Sequence, residues 1–293
     1  MKIGVCIPYM KQGLTRDDFM TWFRRIDQGP FHSLSCGERI TGPTFDMRVL
    51  LSAAIAATER VQINTTLYVL PMHNAVRVAK EIATMDVLSS GRMTITVGVG
   101  GREKDYQAVG AEFKGRFGRM DKQIATMRSI WAQQPPFAGA DPVGPPPLQA
   151  GGPKILAGVM GPKSMARCAH WADGIYAWSG NGERSEMDHF FAMADAAWAE
   201  AGRETRPYRL GGFWYSLAPE SQTRLHQYVY DYLKIMGDDI ATMMADAMHR
   251  SSAGAVAEAL DNMEAAGCEE VFMVPATAEL AELDRLEDIL ARR

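Results

Sequence analysis

Between Val61 and Gly101 the chain runs VQINTTLYVLP, then MHNAVRVAKEIATMDVLSSGR, then MTITVGVGG. Residues 61–69 are rich in β-branched and aromatic side chains, the composition of a buried strand, and Pro71 closes the run. In the next segment Val76, Ala79, Ile82, Ala83, Val87 and Leu88 share one helix face, and Gly91 stands where a glycine ends a helix. Met93–Val99 is again a strand. A strand–helix–strand unit of this kind predicts two parallel strands joined by a right-handed crossover. Ligands on such folds bind at the carboxyl ends of the strands. Those ends are Thr65-Thr66-Leu67 and the run Gly98-Val99-Gly100-Gly101-Arg102.

The same alternation extends over the whole chain. Lys2–Pro8 is a first strand. Thr15 is the expected N-cap of a helix that carries Phe19, Trp22, Phe23 and Ile26 on one face, with Asp17 and Asp18 in its first turn. Phe31–Cys36 is a second strand and Asp46–Glu59 a helix. After the unit around Val61 come a loop with a short helix over 103–118 and a helix over 119–134. Residues 135–153 hold too much proline and glycine for any element interior. Both this loop and the 103–118 loop are candidate lids. Strands follow at Lys154–Gly158, Gly174–Trp178, Tyr208–Leu217 and Glu270–Val274, with helices between and after them. Eight strands, each followed by helix, predict a single-domain (β/α)8 TIM barrel over residues 1–293.

Net charge is −4 and the pI is near 5.9, which argues against a nucleic-acid binder. No apolar run reaches the ~18 residues needed to span a membrane. The first residues, MKIGVCIPYM, enter a strand directly without a signal-peptide pattern. Cys6, Cys36, Cys168 and Cys268 are far apart and form no CxxC pair. They are expected to be free thiols of a cytoplasmic protein.

Several segments could carry chemistry. The cluster Gly98-Val99-Gly100-Gly101 lacks the further glycine or alanine of a dinucleotide fingerprint, because that place holds Glu103. It is either a tight turn or a close backbone approach to a flat ring. At Gly158-Val159-Met160-Gly161-Pro162-Lys163-Ser164 a strand opens into a helix. Free backbone N–H groups there, with Lys163 and Ser164, could bind a phosphate; a plain proline-initiated helix is the alternative. Glu38-Arg39 follows the second strand. Arg39 cannot be a general base near neutral pH, so it either binds an anionic group or forms a surface ion pair. His73, just past the third strand, is the best-placed of six histidines for a pocket, and none of them makes an HExxH or HxH pair, so no metal site is expected. GxSxG and GxxxxGK[ST] are both absent. Trp178, Trp214 and Tyr215 either wall an apolar pocket or belong to the core.

The ordered set TTLYVLP…R.AK, ATMDVLSSGR, GVGGREKDYQAVG and ILAGVMGPKSMARCAHWADGIYAWS resembles the bacterial-luciferase-like monooxygenase superfamily over most of the chain. The resemblance implies a barrel that binds FMN or the deazaflavin coenzyme F420. It places a non-prolyl cis peptide at Thr66–Leu67, beneath the ring system. It puts Gly158, Met160, Gly161, Lys163 and Ser164 near the coenzyme phosphate and the Arg39 position near the chemistry; Gly98, Gly100 and Arg102 stay cofactor candidates, and Glu38 and His73 catalytic ones, from their own places at strand ends. Arg39 stands where many members have histidine, a departure that leaves the acid–base role open.

With reduced FMN from a separate reductase, the implied reaction inserts one atom of O2 into a small organic substrate. With F420 it is hydride transfer. The chain shows no dense basic run to hold a polyglutamate tail, which favours FMN. A non-catalytic flavin-binding partner subunit is a second class. A coenzyme-free aldolase or isomerase is a third, and would need a lysine or paired carboxylates at strand ends. The resemblance also implies a homodimer.

Overall fold

The computed structural model describes residues 1–293. Eight parallel strands close into a barrel in chain order. They are β1 (Lys2–Cys6), β2 (Ser33–Cys36), β3 (Gln62–Val69), β4 (Met93–Gly98), β5 (Lys154–Gly158), β6 (Gly174–Trp178), β7 (Tyr208–Tyr215) and β8 (Glu270–Pro275). β8 pairs with β1 in the register Lys2↔Glu270 to Val5↔Met273, which removes both sheet edges. The TIM barrel expected from the sequence is therefore the architecture found.

Helices α1 (Arg16–Gln28), α2 (Met47–Ala57) and α3 (Ala75–Leu88) follow the first three strands. Thr15 caps α1 in a full capping box with Asp18, while Asp46 and Asn74 cap α2 and α3 through side-chain oxygens. Phe19, Trp22, Phe23 and Ile26 are the buried stripe of α1, as their spacing required. After β4 come α4 (Glu103–Ala108) and α5 (Arg116–Trp131). After β5 and β6 come α6 (Pro162–Cys168) and α7 (Arg184–Glu200).

β7 is followed by more helix than any other strand: α8 (Ser221–Leu233), a 3-10 turn at Lys234–Met236, α9 (Asp238–Asp246) and α10 (Ala253–Ala265). α11 (Ala281–Ala291) closes the chain. Gly237, at φ 103°, turns the chain between the 3-10 turn and α9.

One lid expectation is corrected by topology. Residues 135–153 connect α5 to β5, so they lie at the amino end of the barrel, opposite the strand carboxyl ends. Gln149 anchors this loop there, its amide bonding Asp86 and the Met93 carbonyl, each at 2.7 Å. The connection over 103–118 follows a strand and does reach the carboxyl end.

No helix is long and apolar enough to cross a membrane. All four cysteines are free and buried.

Candidate active site

A cavity of about 630 Å³ opens at the carboxyl ends of the strands, and 19 of its 28 lining residues are hydrophobic. Its deep wall begins at the end of β3. Thr66 pairs with Thr96 but Tyr68 pairs with Val97, so Leu67 is an extra residue in the ladder. The Thr66–Leu67 peptide is cis, as the resemblance implied.

The bulged Leu67 side chain explains two of the glycines. A Cβ on Gly98 would lie 2.8 Å from a Leu67 methyl, and one on Gly158 would overlap the same side chain. Gly98 therefore makes room for Leu67 and does not itself line the cavity. Gly100, at φ +61°, makes room for Val69, and Gly101 faces open space.

Aromatic side chains form the rest of the wall. Tyr9 follows β1, Tyr176 and Trp178 come from β6, and Trp214 from β7. Trp178 meets Trp214 edge-on at 4.6 Å between centroids. Tyr215, one residue on, points to the opposite face of β7 and is fully buried. Burial raises the pKa of Tyr9, Tyr176 and Tyr228 well above the ordinary phenol value, which keeps their hydroxyls protonated. The indole N–H of Trp178 is buried without a partner. The roof is the segment after β7: Tyr228, Tyr232 and Leu233 of α8, Met236 of the 3-10 turn, and Ile240 and Met244 of α9.

Glu38 brings a carboxylate into this apolar space, its side chain only 3% exposed. One oxygen lies 2.8 Å from Nε2 of His73, and the other accepts the Val69 N–H at 2.7 Å. His73 packs edge-on against Tyr68 and its backbone carbonyl accepts from Gln123. Glu38 and His73, singled out separately in the sequence, thus form one buried pair. Glu38 faces the cavity and His73 stands behind it. Asp105 also lines the cavity, but its Oδ1 accepts both the Thr41 N–H and hydroxyl. Glu186 accepts from Ser179. No lysine lines the cavity, which argues against Schiff-base chemistry.

Arg39 is turned away from this pair. Its Nε donates to the Thr41 carbonyl at 2.8 Å, and its guanidinium lies along Gly42. Arg102 donates to the Tyr232 carbonyl and borders the cavity. Its pKa is lowered by burial and then by the nearby Arg39 charge.

On the β5 side Gly158, Val159 and Met160 line the cavity. Gly161 is the N-cap of α6 and caps it without a side-chain hydrogen bond. Lys163 is exposed, and neither it nor Ser164 reaches the cavity wall.

These residues suit a flat, mostly apolar ring system. The volume lies within the ~300–1,000 Å³ of small-molecule sites.

The family model described as luciferase-like monooxygenase matches residues 1–274. The chain belongs to this luciferase-like family. Among curated relatives, the F420-dependent glucose-6-phosphate dehydrogenase of Nocardia farcinica is 28% identical over 208 residues, covering 66% of this chain and 56% of that protein. The match spans no more than about 60% of the length of the curated relatives that head the comparison.

Two solved structures share the luciferase-like fold. An F420-dependent secondary alcohol dehydrogenase, in complex with an F420–acetone adduct, superposes with a TM-score of 0.82 at 16% identity, over 98% of this chain and 97% of that one. The oxygenating constituent of 3,6-diketocamphane monooxygenase from Pseudomonas putida, with FMN, gives 0.74 at 15% identity, over 100% and 98%. At such identities the likeness speaks to the fold alone.

The roof residues were not singled out as a site from the sequence. The available signal was the surplus of helix between β7 and β8, carrying Met236, Met243 and Met244.

Proposed function

We propose that this luciferase-like oxidoreductase holds coenzyme F420 in the apolar cavity and exchanges hydride with a small, largely apolar organic substrate. The observation that carries the reading is the buried Glu38–His73 pair at the cavity wall. Hydride exchange between an alcohol and a carbonyl also requires a proton at the substrate oxygen. Glu38 is placed to give or take it, and His73 is placed to share that proton. The bound coenzyme would supply the hydride chemistry.

The chain's other residues orient and enclose. Leu67, Gly100, Gly158 and Met160 shape the surface against which the ring lies. Backbone N–H groups at Gly161, with Lys163 and Ser164 beyond the wall, are available to a phosphate that extends past the cavity. The α8–α9 roof excludes water from the reacting centre.

FMN fits the same cavity, and that alternative would bring in O2 and a separate reductase. The sequence favoured it because no dense basic run was present. That support weakens because the fold gathers Arg39, Arg102, Lys104 and Lys234 along one cleft. Relatives named for F420 add to the preference.

The direct test is anaerobic turnover. The purified protein, given F420 and a panel of secondary alcohols and ketones, should interconvert at least one pair with a matching change in coenzyme absorbance. Oxygenated product formed only with reduced FMN and air would establish the alternative instead.

A further inference from the structure

Beside the apolar cavity lies a second cleft of about 720 Å³, and the two share Gly101 and Arg102. Of its ten lining residues only Ile235 is hydrophobic. Four are cationic: Arg39 after β2, Arg102 and Lys104 at the start of α4, and Lys234 after α8. One acid, Glu103, faces them.

The other nearby acids are engaged. Asp105 accepts from Thr41, and Asp231 pairs with Lys234 at 2.8 Å. Arg39 and Arg102 each spend one donor on a backbone carbonyl and make no ion pair. An arginine has five N–H donors in a fixed fork, so most of theirs remain free. Arg39 lies close enough for its charge to disfavour that of Arg102. Four cations against Glu103 and the Asp231 partner of Lys234 leave a net positive cleft, and such a field favours an anion.

We propose that this cleft is an anion-binding subsite. It takes the multiply charged end, oligocarboxylate or phosphate, of a molecule whose flat apolar part sits in the adjoining cavity. The inference rests on the cavity holding the coenzyme and its substrate, and it adds residues from β2, β4 and α8 that lie away from the β5 loop. Two sources share this chemistry: the acidic tail of the coenzyme, or an anionic group on the substrate. The planar forks of Arg39 and Arg102 suit carboxylate and phosphate alike. Lys104 and Lys234, at the exposed rim, would draw the charged end in from solvent.

The test uses the full-length protein and the double variant Lys104→Glu/Lys234→Glu, with circular dichroism to verify folding. Both lysines are exposed, so the fold should tolerate the change. Titration with triglutamate and with inorganic pyrophosphate probes the cleft without any ring. The wild type should bind at least one of these, with affinity falling about tenfold or more in the variant and also falling with added salt.

Tail-bearing F420 and the tail-less deazaflavin chromophore then separate the sources. A wild-type preference for the tailed form that disappears in the variant assigns the cleft to the coenzyme. Equal binding of the two forms, with the anion probes still binding, assigns it to the substrate. Failure of both anion probes to bind the wild type, or equal binding to wild type and variant, overturns the proposal. If neither deazaflavin binds while the anions do, the coenzyme reading fails and the anion subsite stands.

Discussion

In the proposed reading the chemistry turns on Glu38. Its two oxygens are held by His73 and the Val69 N–H, which fixes the carboxylate against the cavity while leaving it reachable. Glu38→Gln should lower kcat by about 10²–10⁴-fold, the usual scale for a general acid–base group, with Kd for the coenzyme little changed. His73→Ala should cost less than Glu38→Gln and shift the pH profile, because it acts through Glu38. Similar losses in coenzyme binding for both variants would mean the pair only shapes the pocket. Gly98→Ala would drive a methyl into Leu67. Overpacking of this kind costs about 1–3 kcal/mol. The variant should melt at a lower temperature and bind the ring less tightly, as Leu67 moves into the cavity. From the sequence, Gly98 read as part of a tight turn or of a close approach to a flat ring; its packing against Leu67 was hidden because Leu67 comes from another strand. Glu38 and His73 were each visible in the sequence. Their pairing was not, since it depends on β2 and β3 lying side by side.

At the scale of elements, the helices after β7 set the roof, and Arg250 secures their base. It is a charged side chain only 1% exposed, donating to the Asn181 carbonyl, the Ala255 carbonyl at 3.1 Å, Glu258 at 2.6 Å and Glu183 at 2.9 Å. It thereby ties the loop after β6 to α7 and α10. Arg250→Ala leaves a cavity and unpaired carbonyls, at a cost of about 2–4 kcal/mol. Chemical denaturation should show that loss, and a change within about 0.5 kcal/mol would contradict the account. Strand and helix identities were legible because β-branched runs, caps and glycine stops coincide at each element. Ends differed by one to three residues: the third strand begins at Gln62 rather than Val61, and the helix expected from Arg119 begins at Arg116. The lid was misplaced onto residues 135–153 because proline density signals a loop without saying at which end of a barrel it lies. The basic cleft was invisible because its four cations stand at 39, 102, 104 and 234, with no basic run in the chain.

For the whole molecule, the closed barrel buries groups whose ionised forms would rather be in water. Burial pushes Cys6 up to about 11, Cys168 and Cys268 to about 12, and Cys36 well above the thiol value of 9.0. A folded-state pKa above the unfolded value leaves the stabilisation complete below pH 9 and loses it as pH climbs through the folded pKa. The protein should therefore destabilise steeply above about pH 9–11, earlier than a protein with exposed thiols. A melting temperature unchanged from pH 8 to 11 would contradict this. The thiolate is the reactive form, so a thiol reagent at pH 8 should modify none of the four cysteines until denaturant is added.

In the proposed reading this luciferase-like barrel holds a deazaflavin beside a buried acid–base pair. Anaerobic fluorescence titration of the purified apoprotein with F420, with FMN and with reduced FMN tests it most directly. The expected result is micromolar or tighter binding of F420, weaker binding of both FMN forms, and no loss of F420 affinity in Glu38→Gln. Tight binding of reduced FMN with none of F420 would contradict the account and make oxygen insertion the reaction to pursue.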